Sequence, residues 1–484
     1  MPNTLVPIPL ARKHEQRSSA NPVTIERLIN MYAEVNPEGS PAPVTLYPTP
    51  GLALKDEAIG TGVIRGIHPL YVSGAWAWVI ASGAELYHYD GTDLNPATLI
   101  GSIAAGSSVV KMAASNTQML LSTGANTYYS NGATIAAVTG APSNVSGVAH
   151  QDGYGILTEA NTQKWWVTNL DDMSTVGGLA FTSADAIPGK VMGCASYNQE
   201  VWIFKDTGIE IYQNTGASPF PFQRVQVING FGLLDHNTIA QADGRLFWIG
   251  GNRRPYTADG YTPRVLAGPT LSDAIFNAST DACFTHAFKG HTFYVVSGTT
   301  HTYVYDNTTD LWHRRASLIS GDHDSPWRVR VGYDANSAVT GLTTLVGNRS
   351  VVGAIYGLLD PNTASGVGLL DSGGAIRREI IPPPITAGGD RRVVMSELHV
   401  VAEYGSDTQN GLLTDADILL SWSDDYGNTW VTDRSGSLGA EGSYNYRTKF
   451  TRLGSFRTRS LRIRVTDPVR LVLSGLFARM SVGD

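Results

Sequence analysis

The sequence predicts an all-β protein: a β-propeller of about six blades, with an extended N-terminal arm before it and a β-sandwich after it. Three observations predict this. Short apolar runs follow one another along the chain, with almost no amphipathic helical pattern between them. Turn dipeptides bound those runs: Asp90-Gly91, Asn131-Gly132, Asp152-Gly153, Asn229-Gly230, Asp243-Gly244 and Asp259-Gly260. Glycine tolerates the positive φ that a tight hairpin turn demands. The runs also group into units spaced about 35–45 residues apart, which is the spacing of propeller blades.

Taken in order, residues 1–55 are rich in Pro and Asn and read as an arm that packs along something else. Within it, Val23 to Val35 is compatible with a short helix, although its β-branched residues and Asn36-Pro37 leave that open. Residues 56–370 form the propeller. One unit covers Val63 to Gly101 and holds Ala75-Trp76-Ala77-Trp78-Val79-Ile80, then Leu86-Tyr87-His88-Tyr89. Others hold Val201-Trp202-Ile203-Phe204, Leu246-Phe247-Trp248-Ile249 and Thr292-Phe293-Tyr294-Val295-Val296, each followed by a second aromatic run. A continuous apolar strand, a hairpin and an alternating strand suit a blade, whose inner strands are packed on both faces and whose outer strands are half exposed. The count is about six, with seven at its upper bound. Two β-sandwiches in series is the rival reading. Asp371-Ser372-Gly373-Gly374 and Pro382-Pro383-Pro384 then break the pattern, since three prolines cannot sit in a central strand. Residues 371–484 carry clean alternating strands and read as a separate sandwich.

Composition narrows the class. The 484 residues include 52 Gly and 24 Pro but only 16% charged residues, which describes a turn-rich globular protein. The two cysteines, Cys194 and Cys283, argue against a disulfide framework and fit a reducing assembly compartment. The N-terminus has no basic segment before an apolar core, so no secretory signal is expected. No run approaches the ~18 apolar residues of a membrane helix, so no membrane insertion is expected. Charge is unevenly placed. Between Tyr444 and Met480 nine Lys or Arg face one acidic residue, Asp467, giving +8 there and −15 elsewhere in a chain of net −7. Leu461, Ile463 and Val465 alternate with Arg462 and Arg464, which puts apolar groups on one strand face and guanidinium groups on the other. A cationic sheet face on an acidic body suits docking onto a negative surface. Arg457, Arg459, Arg462 and Arg464 are therefore the interface candidates.

The chemical motifs are few. Ser423-Asp424-Asp425-Tyr426-Gly427-Asn428-Thr429-Trp430 matches an Asp-box. Ser423, Asp425 and Thr429 are expected to bond turn amides, Gly427 to supply positive φ, and Trp430 to pack beneath. The box is frequent in sialidases, which raises a sugar-active or carbohydrate-binding propeller as the alternative function. Catalysis would still need a separate carboxylate pair. Asp322-His323-Asp324 reads as a solvated turn rather than a metal site. His313-Arg314-Arg315 reads as a strand-end cap rather than a phosphate contact. No catalytic, cofactor or metal motif stands out, and none is expected.

Several segments together resemble the packaged-DNA-stabilisation proteins of short-tailed bacteriophages, the tail-hub or tail-nozzle family. They are Asn30-Met31-Tyr32-Ala33-Glu34 with Thr49-Pro50-Gly51-Leu52, Trp165 to Asp172, and Gly208 to Tyr212 with Thr215-Gly216. At the end come Ser421 to Asp425, Arg452-Leu453-Gly454, Arg457, Arg462 to Val465 and Asp467-Pro468-Val469. The matches span nearly the whole chain in order. The resemblance implies a non-enzymatic virion protein, assembled in the host cytoplasm as a homohexameric ring below the portal and its adaptor ring. Such a ring continues the channel for double-stranded DNA without sequence-specific binding. A needle or plug closes it, and tailspikes or fibres attach nearby.

Overall fold

The computed structural model describes residues 5–11, 26–40, 42–72, 74–91, 97–337, 341–362, 367–387, 391–405 and 415–482. Antiparallel blades ring a common axis. Six of them are built from four consecutive strands each, and their axial strands are Ile64–Val72, Lys111–Ala114, Val145–Gln151, Val191–Tyr197, Ala240–Ala242 and Thr280–Phe288. A further, composite blade takes three consecutive strands, Val329–Ser337, Gly341–Asn348 and Ile355–Leu359, and completes itself with Gly51–Asp56 from near the chain's start. Leu52 lies opposite Leu358 in that pairing. The expected count of about six, seven at its upper bound, thus resolves into six contiguous blades and one that clasps the ring shut.

The apolar runs that stand out in the sequence are the second strands of their blades. Glu200–Lys205 and Arg245–Ile249 are buried on both faces, and Trp202, Phe204, Leu246 and Trp248 fill the space between two neighbouring blades. The axial strands use smaller residues, such as Gly193-Cys194-Ala195-Ser196, because all of them converge on one axis.

Residues 27–29 and 31–35 are strands, not part of a helix; residues 23–25 lie outside the described residues. The break between the two strands is Asn30 in the left-handed region (φ 55). Its side chain bonds the Ala316 amide and the carbonyls of Ala316 and Arg377, tying the arm to both neighbouring strands. Arg27–Ile29 pairs on one side with Leu311–Ile319 of the sixth blade and on the other with Arg378–Ile381. The sheet then continues through Thr458–Val465, Asp415–Ser423 and Arg434–Ala440, so blade and sandwich share one eleven-stranded sheet. The facing sheet contains Met31–Val35, Val44–Pro48, Leu473–Val482, Val393–Ala402 and Lys449–Thr451. Met31, Leu46, Leu398, Leu420, Ile463 and Leu476 are part of the core between the two sheets.

One α-helix, Pro269–Asn277, links the fifth and sixth blades and buries Leu271, Ser272 and Ile275. Proline at its start and apolar residues four apart were the available signals. No helix among the described residues is long and apolar enough to cross a membrane.

Candidate functional site

The Asp-box is a hairpin turn of the sandwich. The Ser423 hydroxyl donates to Asp425 Oδ1 at 2.7 Å and accepts from the Gly427 amide at 2.7 Å. The Thr429 hydroxyl and amide donate to the same carboxylate at 2.6 and 2.9 Å. Gly427 takes φ 84, as the turn requires. The Thr429 hydroxyl, then its amide and the Ser423 hydroxyl, hold the Asp425 carboxyl down to about 2. That contribution is complete above the usual carboxylate range and fades only as pH falls toward 2, so the turn is at full strength at neutral pH. Trp430 lies half-buried against the Arg462 guanidinium, 4.3 Å from its ring centre.

The four candidate arginines have different surroundings. Arg457 is exposed. Arg459 is 2% exposed and grips Asp424 through two bonds of 2.7 Å, with Phe456 and Trp422 against its guanidinium. Bidentate arginine–carboxylate pairs of this kind are the strong, geometrically fixed ones. Arg462 donates to the Ser421 hydroxyl at 2.9 Å, and Arg464 bonds Asp433. Alternation correctly separates Arg462 and Arg464 from the apolar residues, but their face is folded against the 421–433 hairpin, whereas Arg459 falls in step with Leu461 on the apolar face. As a correction, Arg459 is an internal strut and offers no free surface, while Arg462 and Arg464 are engaged within the chain.

Exposed cations lie further along. Arg434, Arg447, Lys449 and Arg452 are exposed on or beside Arg434–Ala440 and Lys449–Thr451, the edge strands of the two sheets most distant from the propeller. Residues 442–466 contain no carboxylate. The opposite charge gathers on the propeller. In a four-stranded antiparallel blade the first and third turns fall at the same end. Asp90, Asp152, Asp171, Asp243 and Asp259 are all exposed residues of such turns, so turn chemistry builds one acidic rim.

The segment expected as a solvated turn is a weld between the domains. Asp324 receives Arg314 at 3.1 Å and Arg377 at 3.0 Å, with Arg27 at 3.9 Å. Burial opposes ionisation of Asp324, but Arg314, Arg27 and Arg377 outweigh it and hold the carboxyl below its ordinary value. His313 and Arg315, expected to cap a strand end, are buried inside Leu311–Ile319, each 1% exposed. Arg315 lies over Trp327 and Phe293.

On the propeller axis an open cavity of about 650 Å³ is lined by the axial strands. Both cysteines are on its lining strands and are free, with the Cys194 side chain packed in the core between two blades. Burial raises both, Cys283 to about 12, so neither is a thiolate at neutral pH. Ellman's reagent is expected to leave both untouched in the native protein and to titrate both after denaturation. Among the described residues no group of three or more His, Cys, Asp or Glu is placed to hold a metal ion.

A seven-bladed ring welded to a two-sheet sandwich is the class of protein that the fold defines. Residues 7–357 match the family model described as Bacteriophage P22 Gp10, beta-propeller, and residues 383–481 match that described as Bacteriophage P22 Gp10, beta-sandwich. The chain belongs to this family of phage stabilisation proteins, structural components of the virion. No curated protein matches the chain. Similar solved structures include BBS1N in complex with ARL6DN, 12% identical over 64% of this chain and 96% of that one, with a TM-score of 0.41. Another is the N-terminal domain of Nup159, 9% identical over 69% of this chain and 99% of that one, with a TM-score of 0.39.

Proposed function

We infer that this protein is the tail nozzle or hub of a short-tailed phage: a ring of copies below the portal and adaptor that continues the DNA channel, retains the packaged genome and lets it leave. The family match over both domains carries this reading. The size of the axial cavity supports the need for several copies. A volume of 650 Å³ holds about twenty waters at ~30 Å³ each. One turn of duplex is 34–36 Å long and contains about ten base pairs, far more than that space admits. A conduit for DNA has to run between subunits rather than along a propeller axis.

Charge supplies a way to close the ring. The cationic sandwich edge and the acidic propeller rim are separate surfaces of opposite sign on one chain. Pairing one with the other on successive copies is a heterologous contact, which forms a closed ring when the rotation permits. An acidic rim also avoids gripping DNA phosphates, whose neutralisation would add salt-dependent friction. Arg457 stays within this proposal as an exposed cation close to the edge. The adaptor ring above, a needle or plug below and tailspikes or fibres beside it complete the proposed surroundings.

Electron microscopy of the protein mixed with its adaptor ring tests the reading. Closed rings with a lumen wide enough for a duplex are expected. The double variant Arg452→Glu/Arg457→Glu is expected to lower ring yield at least tenfold with its circular dichroism unchanged. Persistent monomers in the presence of the adaptor would sink the proposal.

A further inference from the structure

The strand pairing of the first blade overruns the blade itself. Trp78 opposite Tyr89 is the last pair between its second and third strands. Ile64–Val72 and Ala75–Ser82 nevertheless stay paired beyond that point, through Leu70–Ala77, Tyr71–Trp76 and Val72–Ala75. In the fourth blade only Tyr197–Glu200 lies beyond the equivalent pair, Val201–Tyr212. At ~3.3 Å per residue the first hairpin stands about 10 Å proud of its third strand.

What it raises is aromatic. Tyr71 and Trp76 face each other across the hairpin, edge to face, with ring centres 5.5 Å apart, and are 40% and 48% exposed. Among the described residues Trp76 is the one exposed tryptophan. Side chains two apart share a strand face, and Trp78 and Ile80 lie in the core with Val331 and Leu345 of the composite blade. Tyr71 and Trp76 therefore carry that core outward into solvent. Single exposed apolar residues are ordinary, but a Trp–Tyr pair held on a projecting hairpin has the composition of an interface anchor.

The surroundings select what covers it. The tip is the first turn of a four-stranded blade, so it lies at the end that gathers Asp90, Asp152, Asp171, Asp243 and Asp259. A polyanion is repelled there and a cationic surface attracted. The sandwich edge offers one, with Arg447, Lys449 and Arg452 exposed and Tyr444 75% exposed beside them. Exposed charge pairs orient a contact but add little affinity, so a ring closed by them alone would come apart in salt. A desolvated aromatic centre gives such a contact its strength.

We propose that Trp76, with Tyr71, anchors the contact between successive copies and seats on the cationic sandwich edge of the next copy, among Arg447, Arg452 and Tyr444. Guanidinium groups stack there on the indole. This rests on the ring reading above and names the group that holds the ring together.

Trp76→Ala, assembled with the adaptor ring and counted by electron microscopy, tests it. The protein concentration for half assembly is expected to rise about tenfold or more, with circular dichroism and melting temperature unchanged because the indole is at the surface. Trp76→Phe should recover most of the loss. What assembly remains in Trp76→Ala rests on charge and should be gone by about 0.5 M sodium chloride, where the parent keeps its rings. Carbodiimide cross-linking of rings mixed from isotope-labelled and unlabelled copies identifies the occupant. Lys449 joined to rim aspartates across the two isotopes is expected. Trp76→Ala rings as abundant and as salt-resistant as the parent's, or rim cross-links to the adaptor alone, would overturn the inference and leave the ring reading standing. A parent that forms no rings removes both.

Discussion

Glu210→Ala should lower the unfolding free energy by about 3–5 kcal/mol, read as a large drop in the urea midpoint. Glu210 and Lys205 are both fully buried, 3.7 Å apart, between the third and fourth blades. Lys205 also donates to the carbonyls of Ala184, at 2.5 Å, and Ile187. Glu210 accepts from the Ile187 amide at 3.2 Å, the Tyr212 hydroxyl at 3.0 Å and Arg224 at 3.1 Å. Truncating the carboxylate leaves an ammonium in the core with carbonyls but no counter-charge, and also strips the Ile187 amide and the Tyr212 hydroxyl of their acceptor. Asp185 bonds the same Arg224 from a side chain 68% exposed. Asp185→Ala should therefore cost below about 1 kcal/mol. The double variant Lys205→Met/Glu210→Leu should recover most of the loss, because a buried pair is dear to break but not to replace. A Glu210→Ala protein as stable as the parent would show that the network contributes little.

How far the sequence reveals this molecule follows from the range of each interaction. Turn chemistry is local, so Asp152-Gly153 and Asp243-Gly244 mark hairpins directly, and with them the acidic rim. Second strands are legible because double burial requires unbroken apolar runs such as Val201 to Phe204. The composite blade is not, since Gly51–Asp56 finds its partner some three hundred residues away and nothing local marks the pairing. Alternation at Leu461 to Val465 separates two faces but is silent on what covers the polar one. That is why Arg462 and Arg464 read as outward although Ser421 and Asp433 engage them, whereas Arg459, in step with Leu461, belongs to the apolar face, where Asp424 holds it. The role of Asp324 is equally hidden, because its three arginines come from Arg27, Arg314 and Arg377, far apart along the chain.

Acid should loosen the propeller well before the carboxylates of the turns titrate. His286 and His313 are each 1% exposed, on either side of Phe293, with ring centres 5.0 and 5.6 Å from it. Burial first, and then the Arg315 charge, push both well below the ordinary histidine value. A folded value below the unfolded one means that the unfolded chain binds more protons once pH drops below about 6.5, so stability falls with pH from there. Holding both rings neutral as pH falls costs free energy at each, and the two costs add. His68, lowered to about 4, and His236, lowered to about 3, act in the same direction but border the cavity and should count for less. Asp334 works in the opposite sense. Burial raises its carboxyl to about 6, and its penalty is relieved as pH falls through that value. One such group offsets about 1 kcal/mol by pH 5, against two histidines that are both pushed well down. Thermal unfolding should therefore move to markedly lower temperature between pH 7 and pH 5. His286→Leu/His313→Leu should flatten that dependence, and an unchanged slope in this variant would place the acid sensitivity elsewhere.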